Sequence, residues 1–289
     1  MTAFIFGAGG QDGYYLTKLL GGKNIEVVGI SRREGFVNID IGSYESVSEI
    51  IKYYKPEYIF HLAANSVTRH NAMFENHITI STGTLNILES VKRFSANTKV
   101  FISGSGLQFR NENKPIKETD PFEARDSYCV SRIQSVYAAR YFRSLGVKCY
   151  VGYFFNHDSP LRTERHMTKK IAEAVKRIAS GSIEELEIGD IKVIKEYTYA
   201  GDVVKGIWKL VNQEEIFEAN ISSGKGYSII DWLHECFTYI NKDWKEYVTT
   251  KKEFIPEYEK LVSDPSLIFS LGWTPNISFH ELAIIMMKK

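Results

Sequence analysis

Cysteine is scarce: Cys129, Cys149 and Cys236 are the only three in 289 residues. They are odd in number and widely spaced. That excludes a disulfide framework and a cysteine-based metal site, and it fits a reducing compartment, the cytoplasm. Charge of one sign is not in excess either. Lys and Arg number 36 against 35 Asp and Glu, a net charge of +1. The chain therefore has no basic field to draw in nucleic acid or a membrane surface. No apolar run approaches the ~20 residues that span a bilayer. The opening "MTAFIFGAGG" has no basic region before its apolar stretch and no cleavage site, so a signal peptide is not expected. The seven histidines form no HExxH pair. His157 and His166 are close together but lack the carboxylate or cysteine spacing of a metal site, and no metal is expected. Low-complexity segments and internal repeats are absent too.

What remains is an ordinary globular balance, 44% hydrophobic and 25% charged, enough to bury a large core. Short apolar runs alternate with amphipathic stretches: "AFIFG", "EVVGI", "YIFHLAA", "KVFISGS" and "KCYVGYFF" as strands, with helical patterns between them. Strand and helix in alternation mean a parallel sheet covered on both faces. The expected class is α/β, a Rossmann-type doubly wound parallel sheet with a smaller C-terminal substrate-binding lobe. The regular order ends near Asn156. Residues 1–156 are assigned to the dinucleotide-binding domain, with some later segments returning to it, and 157–289 mainly to the lobe.

"GAGGQDG" places Gly7, Gly10, Gln11, Asp12 and Gly13 directly after the first strand and at the start of a helix. Gly7 permits the tight turn, Gly10 the approach of a diphosphate, and Gly13 close packing of helix on sheet. Free amides at the helix start then hold the anion. The second strand ends at Arg32 and Arg33, where an NAD site usually has a carboxylate. Guanidinium forks suit a 2′-phosphate, so NADP is expected over NAD, the alternative being a pair of solvated surface arginines. Asp40, followed by Ile41, is expected to end a third strand, "VNIDI", within reach of the adenine amino group. Leu62, Ala63, Ala64 and Ser66 end the fourth strand, at the edge where the cofactor lies.

These segments resemble the extended short-chain dehydrogenases that modify nucleotide sugars, and within them the GDP-mannose 4,6-dehydratase family. The resemblance covers "GAGGQDGYYL", "GISRR", "ETDPFEARDSYCVSR", "FFNHDSPLRTERHMTKKI" and the terminal "SDPSLIFSLGWTPNISFHELA". It implies a cofactor that stays bound while a hydride leaves and returns to the sugar. It implies that Asn156 and Ser66 meet the substrate, and that Arg162, Lys170 and Lys195 contact the nucleotide diphosphate, Lys195 standing where the family usually has arginine. It also implies a homodimer or homotetramer, and a GDP-sugar in preference to other nucleotide sugars.

The family's tyrosine and lysine, one helical turn apart, read here as Tyr128 and Arg132. A phenol acts as a base only where a fixed positive charge favours the phenolate. Arginine keeps that charge but stays protonated, so it cannot relay a proton. In "FISGSGLQF" the strand is expected to run into a small, polar, flexible loop. Gly104 falls at the family's hydroxyl residue and Gly106 at the glutamate that dehydratases use, with Ser103 and Ser105 flanking as substitute hydroxyls. Elimination of water needs a positioned acid or base, while hydride transfer at C4 asks less of the loop. The leading expectation is an NADP-dependent oxidoreductase at C4 of a nucleotide sugar: a 4-keto reductase, dehydrogenase or epimerase. A dehydratase using Asp126 or Glu123, and a degenerate binder of nucleotide sugar or cofactor, are the alternatives.

Overall fold

The structure, a computed structural model, describes residues 1–65, 67–251 and 253–288. Ser66 lies outside the described residues. Strand β1 (Thr2–Phe6) shows why a sheet covered on both faces forms. Phe4 and Phe6 point into one core and Ala3 and Ile5 into the other, none more than 1% exposed. Helix α1 (Gln11–Gly21), strand β2 (Glu26–Ile30), helix α2 (Tyr44–Tyr54) and strand β3 (Tyr58–His61) follow. A helical stretch runs through α3 (Met73–Asn76), a wide π-helical turn (His77–Thr82) and α4 (Gly83–Phe94). Next come β4 (Lys99–Ser105), a 3₁₀ turn (Gly106–Gln108), α5 (Ser127–Ser144) and β5 (Cys149–Phe154). The second half contributes β6 (His157–Asp158), α6 (Met167–Ala179), β7 (Leu186–Ile188), β8 (Ile194–Glu196) and β9 (Thr198–Tyr199). It continues with α7 (Ala200–Val211), β10 (Glu218–Ile221), β11 (Gly226–Ser228) and α8 (Ile229–Thr238). It ends with β12 (Val248–Thr250), β13 (Lys260–Leu261), α9 (Ser266–Ser270) and α10 (Phe279–Met287).

The main sheet is parallel throughout, in the order β10-β5-β4-β3-β1-β2. The order reverses between β1 and β3. A ligand in such a sheet lies outside the carboxyl ends of the strands at that point. Helices α2, α4 and α5 cover one face, α1 and α7 the other. Both α7 and β10 come from beyond residue 157. Helix α9 and Trp273 join them against the main sheet, while α6, α8 and α10 pack around a separate core with Ile171, Val175, Trp232, Phe237, Leu282 and Met286 at its centre.

"VNIDI" is not a strand. Residues 37–41 make one bridge, Val37 to Ile30, and most of them are exposed. Strand β2 is itself largely unburied, so a strand outside it would have little apolar surface to cover. The flexible loop after β4 is not found either. The strand continues to Ser105, whose side chain accepts from the Leu107 amide while the Gln108 side chain accepts from the Ser105 amide at 2.9 Å. Gly106 in this turn lies against the Phe155 ring, and Phe109, which follows it, packs edge-on against Phe122 and Tyr153.

Candidate active site

One cleft runs from the glycine loop, past α5, to the chain that follows β5. Its phosphate end is shaped by the glycines. Gly7 has φ +91°, and a Cβ there would lie 2.7 Å from the Ala63 amide nitrogen. A Cβ at Gly13 would lie 2.5 Å from the Gly7 carbonyl oxygen, and one at Gly10 3.2 Å from the same atom. The loop therefore packs backbone to backbone and leaves a side-chain-free cradle, as an approaching diphosphate requires. Gly10 caps α1 with no side-chain acceptor, so the first-turn amides have no side-chain partner. The residues present fit a dinucleotide.

At the far end of the cradle the two arginines separate. Arg33 folds over Gly9, where a Cβ would meet its Cδ at 2.8 Å, and lines the cleft. Arg32, 81% exposed, turns away to Glu75 at 3.1 Å, and Asn65 donates to the same carboxylate at 2.8 Å. Leu62 and Ala64 line the cleft and Ala63 backs Gly7. Asp40 and Ile41 do not reach it. Asp40 accepts from the Gly42 amide in a surface turn, and the Ile41 carbonyl accepts from Asn86.

Tyr128 and Arg132 share one face of α5, and both line the cleft. The Arg132 guanidinium carbon lies 5.1 Å from the centre of the Tyr128 ring. Arg132 is 4% exposed, and its Nη1 donates to Ser103 Oγ at 2.8 Å and to the Ser103 carbonyl oxygen. Its Nε has no partner. Beneath it His61 is held neutral: burial, then the charge of Arg132, pulls its pKa down to about 3. Ser103 donates to the His61 carbonyl and is 2% exposed, so it supports Arg132 and does not face the cleft. Ser105 does line it. The two glycine positions are not empty. A Cβ at Gly104 would lie 2.6 Å from the Tyr153 ring, and one at Gly106 2.7 Å from the Phe155 ring.

On the substrate side the cleft is lined by Asn156, His157, Arg162, Arg165 and His166. Arg162 Nη2 donates to the His157 carbonyl at 2.9 Å, and its Nε is 3.5 Å from Asp158. Its Nη1 is 3.4 Å from His166, whose pKa burial and then the charge of Arg162 pull down to about 4, leaving a neutral acceptor. Lys170 turns aside to the Glu187 carbonyl at 3.1 Å and does not line the cleft. Lys195 stays behind the lining, over the Tyr197 ring at 5.3 Å, its pKa lowered by burial against the pull of Asp158. Tyr258 was not legible from sequence. Its hydroxyl donates to Asn156 Oδ1 at 3.4 Å, and its ring lies between this cleft and a second cavity lined by Arg69, Arg125, Asp126 and Glu257. Burial raises its pKa to about 12, so it remains a donor. Among the described residues, no three His, Cys, Asp or Glu converge as metal ligands would, and no helix is long and apolar enough to cross a membrane.

Comparison with known proteins agrees with this architecture. GDP-mannose 4,6 dehydratase 2 of Arabidopsis thaliana is 29% identical over 318 positions, covering 99% of this chain and 85% of that relative. Two solved structures share the fold. RMD from Pseudomonas aeruginosa, complexed with NADPH, matches with TM-score 0.88 and 19% identity over 99% of this chain and 97% of its own. UDP-glucose 4-epimerase from Thermus thermophilus, complexed with NAD, matches with TM-score 0.83 and 20% identity over 99% of this chain and 98% of its own. The family model described as GDP-mannose 4,6 dehydratase matches residues 34–286, and the chain belongs to that family of nucleotide-sugar-modifying enzymes.

Proposed function

We propose that the protein is an NADP-dependent oxidoreductase acting at C4 of a nucleotide-activated sugar, with a GDP-sugar favoured. It would work as a 4-keto reductase, a dehydrogenase or an epimerase. One observation carries the choice of reaction. At the two positions where a hydroxyl and a carboxylate would be needed, Gly104 and Gly106, the space for a side chain is taken by the rings of Tyr153 and Phe155, and Gly104 and Phe155 line the cleft with Tyr128. Loss of water from the sugar needs a positioned acid or base, worth about 10²-fold or more. Moving a hydride at C4 needs a single proton carrier, and Tyr128 beside the fixed charge of Arg132 supplies it.

Gly7, Gly10 and Gly13 with the first-turn amides of α1 would hold the diphosphate of a nicotinamide dinucleotide, which supplies hydride transfer when bound. The neighbours named above were solved with NADPH and with NAD. The preference for NADP rests on this chain's own Arg33, whose guanidinium is free of the Arg32–Glu75 pair and suits a 2′-phosphate. Asn156 and Arg162 would meet the nucleotide sugar, with Tyr258, Arg165 and His166 beside them.

The relatives' names favour a second reading, a 4,6-dehydratase. Its missing acid or base would have to come from Asp126 or Glu123. Asp126 is committed to capping α5 and lines the neighbouring cavity, and Glu123 pairs with Arg125. The readings separate in one experiment, NADPH absorbance combined with mass spectrometry on nucleotide hexoses and their 4-keto forms. Oxidation of NADPH by a 4-keto compound supports the oxidoreductase. Loss of water from a hexose nucleotide, with every 4-keto compound ignored, overturns it. Affinity without turnover of either, unchanged in Tyr128→Phe, would mark a degenerate binder.

A homodimer or homotetramer is the proposed assembly. Phe74, Ile78, Tyr137 and Tyr141 are exposed apolar side chains on helices that pack side by side. Such a patch on a monomer is usually covered, and sedimentation equilibrium tests it. The three buried free cysteines suit a cytoplasmic location.

A further inference from the structure

The Asp12–His157 pair joins the two halves of the cleft. His157, 7% exposed, is engaged at both ring nitrogens. Nδ1 lies 2.8 Å from the Phe155 carbonyl oxygen, and Nε2 lies 2.9 and 3.1 Å from the two oxygens of Asp12. Both partners accept hydrogen bonds when Asp12 is ionised. A neutral imidazole has one N–H and one lone pair and can satisfy only one of them, whereas the imidazolium satisfies both. The electrostatics agree. Burial would push the Asp12 carboxyl up, but the charge and hydrogen bond of His157, with the charge of Arg162 and the bond from Gln11, together outweigh it and hold the group at about 2. Burial would pull His157 down, but Asp12 more than reverses this and raises it.

Asp12 stands in the first turn of α1, in the cleft lining beside Gly10 and Gly13. The helix dipole favours a carboxylate there, but its charge opposes a diphosphate at the same place. The segment carrying His157 is tied to the loop a second time, as Ser159 donates to Gln11 at 2.8 Å and Gln11 donates to Asp12 at 3.1 Å. The carbonyl of His157 in turn fixes Arg162.

We propose that His157 is a positioning residue whose imidazolium cancels the charge of Asp12, so that the glycine loop accepts the cofactor's diphosphate, while its carbonyl aims Arg162 at the substrate. The inference rests on reading the cleft as a dinucleotide and nucleotide-sugar site. The charged groups facing His157 are Asp12 from α1 and Arg162 from its own segment; Phe154 meets it edge-on at 5.4 Å and carries no charge. His166, neutral beyond Arg162, adds no compensating charge. Because His157 is raised above its ordinary value, NADPH affinity is full at low pH and falls as pH rises through the raised value.

The test is fluorescence titration with NADPH at a series of pH values from neutral upward, with GDP titrated in parallel. Wild type should lose NADPH affinity as pH rises. His157→Gln removes the charge hydrogen-bonded to Asp12, leaving only the weaker pull of Arg162, and should bind NADPH roughly tenfold more weakly at pH 7. Adding Asp12→Asn to that variant should restore affinity to within about threefold of wild type, since the opposing charge is gone. A purely packing role for His157 would not be relieved by changing the carboxylate opposite, so a double variant as weak as the single one overturns the proposal. If His157→Gln does not fold, Asp12→Asn alone decides. It should bind NADPH at least as tightly as wild type and without pH dependence, and weaker binding overturns the proposal. Wild type that binds NADPH and GDP with pH-independent affinity also overturns it. Wild type that binds neither overturns the reading of the cleft and the proposal with it.

Discussion

The ring of Phe155 occupies the space beside Gly106: a Cβ at that glycine would lie 2.7 Å from Phe155 Cε1. Tyr153 stands in the same relation to Gly104, at 2.6 Å. Both rings come from β5 or the residue after it, and both are buried. The absence of side chains at the two glycines and the presence of two aromatics opposite them are therefore one feature. Both glycine positions are packed, and a side chain cannot be added at either without displacing a ring.

Gly106→Glu should accordingly cost about 1–3 kcal/mol, the usual penalty of overpacking. Phe155→Ala should be destabilising as well, through the cavity it leaves. Combined, they should cost less than the sum of the two, because each relieves the other. Urea unfolding of the three variants measures this. If the two penalties simply add, the ring and the glycine are not complementary in the way described. Mass spectrometry on a hexose nucleotide should detect water loss only in the double variant, where a carboxylate and the room for it coincide.

What could be read without coordinates was local. The glycine loop and the Tyr128–Arg132 spacing each lie within one strand–turn–helix or one helical turn, so residue order specified them. Alternation of apolar runs marked five of the six strands of the main sheet for the same reason. The failures came where pairing or rotation decides. "VNIDI" alternates like a strand but has no apolar partner surface beyond β2. Lys170 has the right place in its motif, yet α6 turns it toward Glu187 while Arg165 and His166, just before that helix, line the cleft. Asp12 and His157 are 145 positions apart, and Tyr258 and Asn156 102, so nothing in the order of residues reveals either contact.

Tyr128→Phe removes the proposed proton carrier and leaves the ring that packs against Arg132. Turnover of a 4-keto nucleotide sugar should fall by about 10²-fold or more. NADPH affinity should change by less than about threefold, because the cation–π contact is retained. Single-turnover kinetics and NADPH titration together check this. Retention of most of the rate would move the proton-transfer role to another group.

Arg33 and Arg32 should behave differently despite being adjacent. Arg33→Ala should weaken NADPH by roughly tenfold and leave NADH nearly unchanged, since only NADPH carries the 2′-phosphate. Arg32→Ala should change neither by more than about twofold, because its charge is spent in an exposed pair with Glu75. The ratio of dissociation constants for the two coenzymes is the measurement, and equal losses in both variants would reject the assignment to Arg33.

Glu218 connects this chemistry to acid stability. Its carboxylate accepts from Tyr153 at 2.6 Å, from Arg140 at 2.7 Å and from Arg143 at 3.0 Å, and so holds the ring that fills the space at Gly104. Burial would raise its pKa, but the bonds from Arg140 and Tyr153 outweigh that and hold it at about 2. The folded value lies below the ordinary 4.5, so the contribution is complete above pH 4.5 and is lost as pH falls toward 2. It amounts to roughly 3 kcal/mol at neutral pH. Glu218→Gln should therefore lower stability near pH 7 while flattening the decline between about pH 4.5 and 2. Urea unfolding at several pH values tests the slope. An acid limb as steep in Glu218→Gln as in wild type would mean that other carboxylates carry it, and that Tyr153 keeps its place over Gly104 without help from Glu218.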